Sequence, residues 1–208
     1  MTTIKLDTHM LQQDAGTIMK ERNIQVPEAT LRTLQALFLG TNADDLVHYN
    51  PPIFLPESLS IAPSDTEVAP LDITDYLGKL VRVAQHTAES HCYGSFVAGQ
   101  ASESDEFADV GIWLGKGNYQ RNHEKDILNK LGLVAWADAE IVQMEGLYDQ
   151  KQIVEGSEMG AIVKELLDSL DDCHRFFARQ DSYFACCLVG QLKRRGGWCG
   201  LASIGVAS

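Results

Sequence analysis

The stretch HCYGSFVAGQASESDEFADVGIWL, His91 to Leu114, decides how the rest of the chain is read. A short apolar approach ends in Tyr93-Gly94-Ser95, and a small-residue segment follows through Gly99. Next come an acidic loop, Glu103-Ser104-Asp105-Glu106, and an apolar run from Val110 to Leu114 that opens with Asp109. Strand, Gly-Ser turn, short helix, acidic loop and strand is the layout of a phosphate and metal site. It is also the layout of a plain connection between two strands. At such a turn Gly94 lets backbone approach a phosphate closely. The N–H groups opening the next helix favour an anion, and the Ser95 hydroxyl adds a hydrogen bond. Carboxylates at i and i+2 on a strand share one side and can hold one Mg2+ together, with a third acid from a neighbouring strand acting as ligand or base.

Working outward toward the N-terminus, a helix capped by Thr74 or Asp75 precedes the stretch, with Tyr76, Leu77, Leu80, Val81 and Ala84 on its apolar side. Before it, residues 50–72 hold Pro51, Pro52, Pro56, Pro63 and Pro70, a density that no regular element is expected to survive. Residues 8–22 and a segment opening at Pro27, with Leu31, Leu34, Leu37 and Phe38 in a stripe, predict a helical hairpin closed by Gly40. The division is residues 1–49 as a helical appendage, 50–71 as a proline-rich linker, and 72–208 as the main domain.

Toward the C-terminus, residues 119–131 predict a charged helix ended by Gly132, and Leu133 to Met144 a buried strand with Asp138 and Glu140 on one side. Ser157 opens an expected long helix through Ile162, Leu166, Leu170, Cys173 and Phe177. A last helix is expected from Ser182 to Arg194, ended by Gly196-Gly197; the tail from Trp198 gives no readable pattern. The expected fold is α+β, a small mixed central sheet flanked by helices.

Composition bounds the function. Hydrophobic residues at 45% support a packed core, and a net charge of −12 argues against sequence-independent nucleic-acid binding. A nucleotide carried with a metal ion escapes that repulsion. The N-terminus lacks a secretory pattern, and no apolar run approaches the roughly 18 residues of a membrane span, so no membrane partner is expected. Five cysteines without a CxxC point to a reduced, cytoplasmic chain with neither a disulfide framework nor a structural zinc site.

Tyr93-Gly94-Ser95, Ala98-Gly99 and Asp109-Val110-Gly111-Ile112 together resemble the core motif of the DNA polymerase beta-like nucleotidyltransferase superfamily, in its minimal, antitoxin-associated variety. The resemblance covers about residues 72–180. It implies that Gly94 and Ser95 hold the phosphates of a nucleoside triphosphate. It also implies that Asp109, Glu106 and Glu140 bind Mg2+, with Asp109 and Glu140 as the catalytic acids. One departure stands out. The family places two acids separated by one residue, and the position two before Asp109, where the first would stand, is Phe107. A residue is inserted, which leaves Glu106 or Asp105 to reach in from the loop.

Two functions follow. The first is an enzyme transferring a nucleoside monophosphate to a hydroxyl acceptor. The second is a catalytically degenerate fold that binds a protein partner, antitoxin-like or regulatory, for which a charge of −12 suits a basic partner. An unrelated α+β protein with a chance Gly-Ser match is the third reading. Other features have plainer readings: His86 and His91 as surface histidines, Cys186-Cys187 as core, Lys193-Arg194-Arg195 at a helix end, and Asp168, Asp171 and Asp172 as a solvated face.

Overall fold

A computed structural model describes residues 4–6, 11–14, 17, 20, 27–40, 53–55, 60–61, 69–148, 158–194 and 196–207. The expected helix over 8–22 lies mostly outside the described residues. The described elements, in chain order, begin with β1 (Ile4–Leu6), α1 (Glu28–Leu39), β2 (Ile53–Leu55), β3 (Ser60–Ile61), α2 (Leu71–Ser90) and β4 (Val110–Gly115). They continue with α3 (Glu124–Leu131), β5 (Glu140–Met144), α4 (Glu158–Asp168), β6 (Leu170–Gln180), β7 (Tyr183–Leu192) and β8 (Trp198–Val206). One sheet runs in the order β3-β4-β8-β7-β6-β5, and β1 pairs with β2 separately. From β4 to β5 every pairing is antiparallel, while β3 joins β4 in parallel. The fold is therefore α+β around an open, largely antiparallel sheet.

Period-two alternation explains the sheet. In β7, Ala185, Cys187 and Val189 face one core while Phe184, Cys186 and Leu188 face the other. In β8, Trp198, Ala202 and Ile204 alternate with Cys199 and Leu201 in the same way. Both faces are covered, so each strand is a continuous apolar run, which spacing alone cannot tell from a buried helix. That is why the expected helix from Ser182 to Arg194 is instead β7, and why the unreadable tail is β8. The expected long helix after Ser157 is two elements. It stops at Asp168, and Leu170, Cys173 and Phe177 belong to β6, whose register slips between Asp171 and His174.

The first core lies between the sheet and α1 with α3, and the second between the sheet and α2 with α4. α1 is framed as expected, with Pro27 before it and Gly40 after it at φ 69°, the Gly40 N–H reaching the Ala36 carbonyl at 3.0 Å. Its Leu31, Leu34, Leu37 and Phe38 are buried with β4 and β8 residues. At roughly 1.5–3 kcal/mol for each such side chain, the second half of the expected appendage is a layer of the main core.

Other elements differ from expectation in extent, and α3 begins at Glu124, after the expected start at 119. α2 begins after Pro70, whose φ of −54° already suits a helix entry, rather than at Thr74 or Asp75. The expected strand from 133 to 144 shortens to β5, after a tight turn at Val134–Trp136 in which the Trp136 indole donates to the Leu37 carbonyl at 2.9 Å. Between the prolines, β2 and β3 survive as strands of three and two residues, short enough to fit in the gaps.

Candidate functional site

No strand leads into Tyr93-Gly94-Ser95. α2 runs to Ser90, and the chain turns sharply through Cys92 at φ 59°, with the Tyr93 N–H bonded back to the Ala88 carbonyl at 3.0 Å. The apolar approach expected as a strand is the end of an amphipathic helix, buried through Thr87 and Ala88. The turn then folds under α2, and Phe96, Val97 and Ala98 enter the second core.

Asp109 stands one residue before β4 on that same side, 1% exposed. Its Oδ1 accepts from the Ser95 hydroxyl at 2.8 Å and from the Val97 N–H at 3.1 Å, and its Oδ2 accepts from the Phe96 N–H at 2.7 Å. Ser95 Oγ in turn accepts the Ala98 N–H at 3.0 Å. The carboxylate thus ties down the orphan donors of the turn, as a capping side chain does. Burial pushes the carboxyl up to about 6, against the pull of the three donors. The Val97 carbonyl is held from the sheet side by buried Arg175 Nη1 at 3.2 Å, a contact for which the sequence offers no signal.

Gly94 also has a partner other than a phosphate. A Cβ at Gly94 would stand 2.7 Å from the backbone of Asp105, so the space freed by the missing side chain is filled by the acidic loop. Ser95 is 4% exposed, and its hydroxyl is used within the turn.

The remaining acids go elsewhere. Glu106 is exposed and pairs with Arg32 of α1 at 3.4 Å, on the rim of a cavity of about 500 Å³ lined by Leu39, Phe107 and Tyr183 among others. Glu140 lies on β5, exposed, opposite Arg179 of β6. It is on the next strand of the expected site in sequence but not in space, because β8, β7 and β6 stand between β4 and β5. Four strand spacings of about 4.8 Å put it about 19 Å from the Asp109 end of the sheet. Two acids that far apart cannot share a cation held at about 2.1 Å. The metal set Glu106, Asp109 and Glu140 is therefore not brought together, and no group of three His, Cys, Asp or Glu among the described residues is placed to hold a metal. Among the described residues, Glu106, Asp109 and Glu140 do not form a set that fits Mg2+.

His86, His91, Cys186 and Cys187 follow their plainer readings, whereas Lys193 and Arg194 follow strand β7 and do not end a helix. His91 Nδ1 lies 2.9 Å from both the Ser90 hydroxyl and the Thr87 carbonyl, and His86 faces Glu89. Cys186 and Cys187 are fully buried on opposite sides of β7. Among the described residues no helix is long and apolar enough to cross a membrane. No protein-family model matches the chain, and no curated protein matches it significantly.

Proposed function

We propose that this chain acts by binding a macromolecular partner, as a regulatory or antitoxin-like subunit, and not by transferring a nucleotide. The observation that supports this reading is the state of Asp109. To ligate a metal, its carboxylate would have to release Ser95, Phe96 and Val97, each a buried donor whose loss costs about 1–3 kcal/mol. The resemblance to minimal nucleotidyltransferases then rests on a turn-and-strand scaffold in which Ser95 and Asp109 hold each other. Binding needs only surface, and a chain at −12 offers it to a cationic partner.

The test is incubation with Mg2+ and labelled ATP or GTP, alone and with hydroxyl acceptors including proteins. The expected result is no transfer of label to the chain or to any acceptor, and no nucleotide-induced rise in melting temperature. Labelling that disappears in Asp109→Asn and Glu140→Gln would restore the transferase reading.

A further inference from the structure

The two edges of the sheet are unequal. β3, at one end, has two residues, too short to template another chain. β5, at the other end, has five in unbroken register with β6, and among the described residues it is bonded to no second strand. It contains no proline, lysine, arginine or bulge, the usual devices that blunt an edge. Its apolar side chains are already committed, Ile141 to the first core and Val142 and Met144 to the second, so what the edge offers is backbone. The charges carried by the strand and its flanks along the chain have one sign: Asp138, Glu140 and Glu145 are all exposed, and no Lys or Arg occurs from 131 to 150. Two cations stand opposite it across the ladder, and both are turned to other groups. Arg179, opposite Glu140, lies with its guanidinium 6.0 Å from the ring of Phe184, and buried Arg175, opposite Met144, donates to the Val97 carbonyl at 3.2 Å. A third cation lies at the end of β5. The Arg121 guanidinium, from the loop before α3, reaches the last carbonyl of β5 at Met144 at 3.5 Å, a long contact that an incoming strand can displace.

We infer that the outer edge of β5 is a docking strand for an extended, cationic segment of the partner, an inference that rests on the binding reading above. Backbone pairing supplies the attachment and the flanking carboxylates supply the choice. A second copy of this chain would bring three more carboxylates and a charge of −12 to the same edge, so the arrangement repels self-pairing while it attracts a basic strand.

The probe is an acetylated, amidated heptapeptide alternating lysine with valine or threonine, compared with the same peptide carrying glutamate for lysine and with one carrying proline at the central position. Amide hydrogen exchange on the full chain at low salt is the readout. The lysine peptide is expected to slow exchange across Glu140–Met144 at least tenfold, and the other two to leave it unchanged. Glu140→Lys combined with Glu145→Lys should weaken lysine-peptide binding at least tenfold, whereas Glu165→Lys on α4 should not. Protection that falls elsewhere, is absent, or is indifferent to the charge reversal overturns the inference. So does concentration-dependent protection of β5 without peptide, which would identify a second copy as the occupant. Nucleotide labelling would sink the binding reading itself, whereas peptide failure without labelling sinks only the edge.

Discussion

Asp109→Asn separates the two readings of the site by stability as well as by activity. In the wild type three donors converge on two carboxylate oxygens inside a core. An asparagine amide keeps one oxygen and replaces the other by an NH2 that cannot accept. At least one of the Phe96 and Val97 N–H groups is then left facing a donor. One unsatisfied buried donor costs about 1–3 kcal/mol, and destabilisation of that size is expected. With a urea m-value of about 2 kcal/mol per M, the midpoint falls by about 0.5–1.5 M. The buried Trp113, Trp136 and Trp198 give a fluorescence signal for the unfolding. A transferase site predicts the opposite sign, because an acid held ready for a metal is strained without it, and removing its charge commonly stabilises. A midpoint that is unchanged or higher in Asp109→Asn would refute the capping argument.

Four further outcomes follow. Gly94→Ala must push a Cβ against the Asp105 backbone at 2.7 Å, so a loss of about 1–3 kcal/mol is expected in the same urea assay. Thr33→Val removes the acceptor of the Ala108 N–H, 2.9 Å away, and should cost about 1–3 kcal/mol while raising exchange at Ala108. Asp109 titrates higher folded than unfolded, about 6 against 3.8, so the folded state holds the extra proton between those values. Its contribution to stability is therefore full below about pH 4 and declines as pH rises through 6, and the wild type minus Asp109→Asn difference should narrow over that window. A thiol reagent should modify exposed Cys92 rapidly under native conditions, while Cys187, fully buried with its thiol pushed up to about 12, reacts only on unfolding.

Where one side of an element faces water, its sequence was readable. α1 shows its apolar stripe and its bounding Pro27 and Gly40, and the structure ends it within a residue of that reading. β4 was visible as a run from Val110 because an acidic loop delimits it. The helix expected from Ser182 to Arg194 falls on an element buried on both sides. Phe184, Leu188 and Leu192 satisfy helical spacing, yet so many of the residues between them are apolar that a period of two fits as well. Only the covering of both faces, a property of the assembled sheet, decides between the two. The same holds for the site. Asp109 and Glu140 were found as candidates by type and order along the chain. Whether they meet depends on β8, β7 and β6 being laid between them, and the spacing misassigned β7 and most of β6 and left β8 unread.

The departure at Phe107 has a structural account of its own. By alternation from Asp109, residue 107 would face the second core, beneath α2. Phe107 instead turns to the opposite side, where it is buried among the residues that pack α1. Its neighbours do the same: Glu106 pairs with Arg32, and Ala108 donates its N–H to Thr33 Oγ1 and accepts the Thr33 hydroxyl on its carbonyl, with Ser203 Oγ donating to that carbonyl at 2.9 Å. All three residues of the segment to which the resemblance assigned a metal ligand are engaged with α1 or with the core beneath it. A carboxylate in place of Phe107 would therefore face a hydrophobic layer, at a desolvation cost of several kcal/mol, and would not face Asp109. Restoring the missing acid by substitution is thus expected to unfold this protein rather than to activate it. The segment works as the clasp that joins the N-terminal helix to the sheet, and the chemistry the family would place there has no room on that side.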